Sequence, residues 1–318
     1  MRIGFHASHE QFPPSEMLEY TIAAEAAGFD CAMSSDHFKP WSRTQGHSGY
    51  SWSWIGAALA RTRFPLGLIS VAGYRYHPAI IAQAAATLGE MFGDRFWFAL
   101  GSGERLNEDI TGMPWPSKPE RNAKLAECAT LIRSLLKGER VTHRGSVTVV
   151  DAELYSRPAQ PPLMLGAAVT AASAELVGRW ADGLLTIANT PEELKPVIEG
   201  FRRGGGEGKP IHIQIALSWA RSESEAVRLA HEQWKYLAFG GDLPWELRSP
   251  EDFETVARFV RPEDMHERLL ISSDLNQHAA WLAEFVELGV HTMYLHQVGL
   301  NQRAFIDAFA TRVIPQLR

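Results

Sequence analysis

The chain has 318 residues, 45% apolar and 21% charged, and its 31 basic and 37 acidic side chains leave a formal net charge of −6. This is the composition of a folded globular protein, which excludes disordered and fibrous classes. With no basic cluster longer than Arg202-Arg203, nucleic acid is disfavoured as a partner, and no apolar run approaches the ~20 residues of a membrane span.

The start, Met1-Arg2-Ile3-Gly4-Phe5-His6, enters strand-like sequence with no signal-peptide pattern. Two cysteines, Cys31 and Cys128, are too few for a disulfide framework, so a reducing cytoplasm is the expected location. Apolar runs then predict strands near Ile3, Ala32, Leu68, Ala99, Met164, Leu185, Ile213 and Tyr294. Helix-period stretches separate them, and three of these close on a glycine: Gly28, Asp182-Gly183 and Gly289. Alternating strands and helices at crossover spacing imply a parallel sheet, and eight strands are the number of an α/β barrel. The expectation is a single (β/α)₈ TIM-barrel domain over residues 1–318 with two insertions. Val141–Tyr155 reads as a β-hairpin before the fifth strand, and Trp219–Pro262, broken by Gly240-Gly241-Asp242, reads as a helical lid after the seventh. Trp281, Phe285 and Leu288, and then Phe305, Ile306, Phe309 and Val313, are expected to face the sheet.

In such a barrel the working residues come from the C-terminal ends of strands. The first strand runs into His6–Phe12, the second into Ser34–Trp41, the fourth into Gly101–Glu108 and the fifth into Gly166–Thr170. A single histidine there, such as His6, His9 or His77, is more often a structural hydrogen-bonding residue than a catalyst. Asp36-His37 beside Pro40-Trp41 is different, because carboxylate, imidazole and indole at one barrel mouth form a proton-transfer group. No metal is expected: two ligands on one strand face need i, i+2 spacing, and His6 and His9 are three apart. Gly204–Pro210 has Pro where a phosphate loop needs Ser or Thr, and reads as a connecting loop.

Five segments carry a resemblance. They are Ala-Ser-His-Glu-Gln-Phe at 7–12, Ser-Asp-His-Phe-Lys-Pro-Trp at 35–41, Gly-His-Ser-Gly-Tyr-Ser-Trp-Ser-Trp at 46–54, Arg-Tyr-His-Pro-Ala-Ile-Ile-Ala-Gln at 75–83 and Gly-Ser-Gly-Glu-Arg-Leu-Asn-Glu at 101–108. Together they resemble the bacterial luciferase-like superfamily, and within it the branch of deazaflavin-dependent glucose-6-phosphate dehydrogenases. The likeness runs to Asn301-Gln302-Arg303-Ala304-Phe305.

The resemblance implies a flavin-like ring in the barrel mouth, with His37 as base, Trp41 beside it, Glu104 near the ring, Asp36 on the cofactor and Glu10 near the substrate. It further places Ser70 and Val71 on the ring through a supporting bulge at Ile69–Gly73, shorter here by one residue. Gly103, Asn107 and the run Ala167-Ala168-Val169-Thr170 complete the implied cofactor set. The helix opened by Thr170 and Ser173 would offer its N–H groups to a cofactor phosphate. The substrate-phosphate lysines of the sugar-phosphate enzymes are replaced by Thr190 and by a residue near Pro244, and an arginine survives as Arg268. One cation is a poor phosphate clamp, which argues against a sugar phosphate.

The expected function is hydride transfer between a small alcohol or carbonyl compound and coenzyme F420 or FMN, with F420 narrowly favoured because base, indole and glutamate are all retained. A neutral imidazole would take the hydroxyl proton, in a titration nominally at ~6.5. The alternatives are an FMN-dependent monooxygenase needing a flavin reductase partner, a non-catalytic flavin-binding protein and, weakest, a metal-dependent hydrolase. A homodimer is the expected assembly.

Overall fold

The computed structural model describes residues 1–318. Its strands are β1 Arg2–Ala7, β2 Cys31–Ser35, β3 Leu66–Val71, β4 Phe96–Gly101, β5 Val141–Arg144, β6 Thr148–Ala152, β7 Leu163–Ala167, β8 Gly183–Ile187, β9 Ile211–Trp219, β10 Leu270–Ser272 and β11 Thr292–Gln297. Eight of them are parallel neighbours in the order β9-β11-β1-β2-β3-β4-β7-β8, and β8 pairs back onto β9, which closes a barrel. These are the eight strands read from the sequence. The antiparallel pair β5–β6 is the expected hairpin. The extra strand, β10, escapes sequence reading because it has only three residues; it lies beside Leu217–Trp219 at the C-terminal end of β9.

The strands form because their apolar runs are buried on both faces, as parallel strands require. On β4, Trp97 and Ala99 turn inward to join Cys31, Met33, Leu165, Leu185 and Tyr294, while Phe96, Phe98 and Leu100 pack outward under the helices. Trp97 occupies space that only a glycine leaves open: a Cβ on Gly67 would stand 1.9 Å from its ring. This end of the barrel is therefore filled, and open volume is left to the C-terminal rim.

Two details differ from the sequence reading. Gly183 is not a helix stop but the first residue of β8; the preceding helix, Ala171–Gly178, has already ended. Helix Leu275–Val286 buries His278, Ala279, Leu282 and Phe285, while Trp281 and Leu288 are only partly covered. Gly204-Gly205-Gly206 is a connecting segment, wound on the end of helix Pro191–Phe201. A Cβ at Gly204 would stand 2.0 Å from the Glu175 carbonyl oxygen, so bare backbone lets neighbouring helices touch.

The excursion after β9 is a packed cap that extends beyond Pro262 to Leu269. Its helices Glu223–Trp234 and Pro250–Val256 share an apolar core, with Leu229, Trp234, Phe253 and Met265 closing on Trp41 and Leu106 from the barrel rim. Ion pairs Arg248–Asp109 at 2.7 Å and Arg121–Glu246 at 3.1 Å tie it to the rim.

Candidate active site

Between the C-terminal strand ends and the cap lies a cavity of about 390 Å³. Glu10, Asp36, His37, Trp41, Ser70, Val71, Gly103, Glu104, Asn107, Ala167, Ala168, Val169 and Arg268 all line it. All but Arg268, which comes from the cap, converge from β1, β2, β3, β4 and β7, because the barrel brings the end of each parallel strand to the same rim.

His37 is the centre of the polar arrangement. Its Nδ1 is hydrogen-bonded to Glu10 Oε1, and its Nε2 stands 3.7 Å from Glu104 Oε2. Trp41 meets the imidazole edge-on, with centroids 5.4 Å apart at 84°. Glu10 is fully engaged, because its second oxygen accepts the Ser8 hydroxyl at 2.7 Å. Asn107 links two strand ends: its amide nitrogen donates to Glu104 Oε2 at 3.1 Å, while its oxygen accepts the backbone N–H groups of Phe38 and Lys39.

Burial alone would push the His37 imidazolium down, but Glu104 and Glu10 outweigh it and hold its pKa up at about 9. Burial likewise pushes Glu10 up, and the His37 charge and hydrogen bond overcome this, leaving it at about 2. Glu104 is raised, chiefly by burial, against the opposing pull of His37. Two carboxylates face the ring, and they move the imidazole, nominally at ~6.5, up to about 9.

Asp36, expected on the cofactor, is engaged by the protein. Its Oδ2 accepts the Ser70 hydroxyl at 2.8 Å and its Oδ1 the Tyr76 hydroxyl at 3.3 Å. Arg75 stands 3.7 Å from the same carboxylate and donates to Glu108 at 3.0 Å, bridging two buried acids. Sequence reasoning gave Arg75 and Glu108 no role, although both lie in the motifs that carry the resemblance. Ser70 spends its hydroxyl on Asp36 and accepts the Trp52 indole N–H at 3.2 Å. The expected bulge is not a break in the strand, since Leu66–Val71 pairs residue for residue with Phe96–Gly101. The turn follows it, and Gly73, at φ +91°, closes onto the Tyr76 carbonyl.

Thr170 does not line the cavity. Its hydroxyl oxygen accepts the Ser173 N–H at 3.2 Å and caps the helix it opens, and Ser173 reaches the cavity wall instead. Thr190 caps helix Pro191–Phe201 in the same way and is also outside the wall. Arg268 lines the cavity, and its Nε is buried without a partner. Lys118 and Arg75 are further cations in the wall, Lys118 donating to the Ser102 hydroxyl at 2.6 Å and Arg75 engaged with Asp36 and Glu108, so Arg268 does not stand alone there. His6 and His296 also line the cavity, whereas His9 lies outside it under Trp54, with ring centroids 4.6 Å apart.

Comparison with known proteins agrees with this architecture. The chain is 34% identical over 330 residues to an F420-dependent glucose-6-phosphate dehydrogenase of Microbacterium testaceum, covering 100% of this chain and 98% of the relative. It is 35% identical to the similarly named protein of Intrasporangium calvum, covering 100% and 99%. Among solved structures it is similar to an F420-dependent secondary alcohol dehydrogenase in complex with an F420-acetone adduct, with a TM-score of 0.92, 29% identity and coverage of 100% and 99%. The fold is also that of the coenzyme F420-dependent tetrahydromethanopterin reductase of Methanopyrus kandleri, with a TM-score of 0.81 at 21% identity, covering 100% and 99%. No helix is long and apolar enough to cross a membrane. The family described as luciferase-like monooxygenase matches residues 1–292, and the chain belongs to it.

Proposed function

We propose that the protein is an F420-dependent oxidoreductase that moves a hydride between a small alcohol, or its carbonyl form, and the deazaflavin, with His37 carrying the hydroxyl proton. The observation that carries this reading is the Glu10–His37–Glu104 set on the cavity wall, in a chain similar along its whole length to F420-dependent dehydrogenases.

The residues present suit such a cofactor. Gly101, Gly103, Ala167 and Ala168 give one stretch of wall without bulky side chains, which accommodates a flat ring. Helix Ala171–Gly178 brings Ser173 to the same cavity, and the N–H groups of its first turn suit a phosphate. F420, when bound, supplies a two-electron hydride acceptor or donor. In the oxidising direction, neutral His37 takes the hydroxyl proton at Nε2, because Glu10 holds Nδ1. Glu10 and Glu104 stabilise the imidazolium that results, and in the reducing direction the same proton returns to the new hydroxyl. Trp41 and the cap keep water from the reacting carbon, and Asn107 fixes Glu104.

Parallel fluorescence titration with F420 and FMN tests the reading. Micromolar saturation by F420 and none by FMN is expected. Saturation by FMN alone, with oxygen uptake that depends on a flavin reductase, would establish the monooxygenase alternative.

A second reading, oxidation of glucose 6-phosphate, is favoured by the names of the relatives and by Arg268 and Lys118, the wall cations that, unlike Arg75, are not bridged between buried acids. F420 reduction by glucose 6-phosphate but not by propan-2-ol would select it.

A further inference from the structure

Three buried glutamines tie the cap to the barrel rim from behind the cavity wall. Gln11 stands in the loop after β1, Gln45 in the loop after β2, and Gln233 is the last residue but one of cap helix Glu223–Trp234. Each is at most 4% exposed, and none lines the cavity. The Gln11 amide nitrogen donates to the Val298 carbonyl at 2.7 Å and to Gln233 Oε1 at 3.2 Å. Its oxygen faces Nε2 of His296 at 3.4 Å, and the His296 ring centroid lies 4.3 Å from that of His6.

Gln45 is the branch point, because a tight turn folds its side chain back on the residues before it. The Gly46 N–H donates to the Ser42 carbonyl at 3.3 Å, with Gly46 at φ +77°, and the Gln45 N–H donates to the Ser42 hydroxyl at 3.2 Å. The Gln45 amide oxygen then accepts the Trp41 N–H at 2.9 Å, and its amide nitrogen donates to the Gln233 carbonyl at 2.9 Å. That carbonyl is among the last four of its helix, which a helix leaves without internal partners. The orientation of the amide is fixed, since turning it over would set nitrogen against N–H and oxygen against carbonyl.

What Gln45 holds stands on both sides of the reacting group. Trp41 meets His37 edge-on at 5.4 Å and Phe253 of the cap edge-on at 5.2 Å. Trp234, next to Gln233, lines the cavity and meets His296 edge-on at 4.5 Å. The same loop grips the base through its main chain: the Ser48 hydroxyl donates to the His37 carbonyl at 2.6 Å, and the His47 N–H donates to the Glu10 carbonyl at 3.0 Å. One buried amide therefore seats an indole of the barrel rim and the cap helix that carries another, and losing either bond strands a polar group away from water.

We propose that Gln45 is a positioning residue for hydride transfer: its amide oxygen fixes Trp41 against His37, its amide nitrogen fixes the end of the cap helix, and the seating of the cap and the geometry of the base are set together. The proposal rests on the hydride-transfer reading above. Gln45 acts through Trp41 and Trp234, and the chemical step is sensitive to small displacements of the groups they hold.

The test uses the full chain loaded with F420 and whichever of propan-2-ol and glucose 6-phosphate it oxidises. Kinetics, F420 affinity and backbone hydrogen exchange are measured on Gln45→Met, which loses both bonds, and on Gln45→Glu, which keeps the acceptor for Trp41 but sets an oxygen against the Gln233 carbonyl. Gln45→Met should lower kcat about 10-fold with F420 affinity unchanged, and should speed exchange both at Trp41 and over residues 234–239. In Gln45→Glu only the second segment should exchange faster, and KM should rise more than kcat falls. Placed in a Trp41→Leu background, Gln45→Met should lower kcat little further, because the residue it acts through is gone. Unchanged kcat in Gln45→Met overturns the proposal, and so does an equal fold loss with and without Trp41, which is the mark of a merely structural bond. F420 binding weakened about tenfold also overturns it, by making the loop part of the cofactor site. A wild-type protein that reduces F420 with neither alcohol overturns the hydride-transfer reading, whereas exchange unchanged in both segments of Gln45→Met overturns the positioning role alone.

Discussion

Replacing Glu10 by Gln perturbs the proton-transfer group at one defined atom. Glu10 Oε1 holds His37 Nδ1 while Oε2 accepts the Ser8 hydroxyl at 2.7 Å, and the amide keeps the shape while removing the charge. A carboxylate in contact shifts its partner's pKa by roughly 1–3 pH units, or about 1.4–4 kcal/mol. Glu104, at 3.7 Å, remains in the variant. The His37 titration, at about 9 in wild type, should therefore fall by roughly 1–3 pH units in the variant.

The sign follows from which form does the work. Alcohol oxidation needs the neutral ring, and at pH 7 a group titrating at about 9 is only about 1% neutral. Wild-type oxidation should thus climb through pH 7 and 8 and level off above about 9, and in Glu10→Gln the same climb should come at lower pH. Carbonyl reduction uses the imidazolium, so its loss with rising pH should also move down. Initial rates of F420 reduction and of reduced-F420 oxidation across this range, with cofactor affinity measured alongside, give both limbs. A rising limb that stays in place or moves up in the variant would refute this electrostatic account of His37.

Three further outcomes are expected. His37→Ala should lower turnover ~10²–10⁴-fold with little change in F420 affinity; loss of binding with normal turnover per bound cofactor would make His37 a ring ligand instead. Arg75 is the shared partner of Asp36 and Glu108, all three at most 4% exposed. Arg75→Met should cost about 3–5 kcal/mol in urea unfolding by leaving two buried acids unpaired, and Arg75→Lys, lacking the fork, should restore only part of it; an unchanged midpoint in Arg75→Met would contradict this. In hydrogen exchange, cap helices Glu223–Trp234 and Pro250–Val256 should be protected with or without ligand because they share a core. Slowing on ligand binding should be confined to residues 238–247, and uniform slowing across the whole excursion would mean the cap moves as one lid.

Much of the barrel was readable from local pattern. A parallel strand buried on both faces is a near-continuous apolar run, and Leu66–Val71 and Phe96–Gly101 are each such a run followed by a helix. Asp36, His37 and Glu104 stood out for the opposite reason, as polar groups where an apolar run stops. What sequence could not give was who spends whose hydrogen bonds. Ser70 and Asp36 read as cofactor ligands, and besides lining the cavity they bond to Trp52, to Tyr76 and to each other, with Arg75 beside Asp36. Thr170 and Ser173 read as the opening of a helix that offers N–H groups to a phosphate, and only the structure shows that the Thr170 hydroxyl takes the Ser173 N–H.

The sequence by itself determined the order of the elements, the chemistry at each strand end and the family, because these depend on short-range periodicity and on residues close along the chain. The pairing of His6 with His296, the two carboxylates on His37 and the Arg75 bridge were decided only by the tertiary structure. Barrel closure lays β11 beside β1 and the first strand beside the second, and the free energy of a buried charge depends on neighbours that the linear order does not bring together.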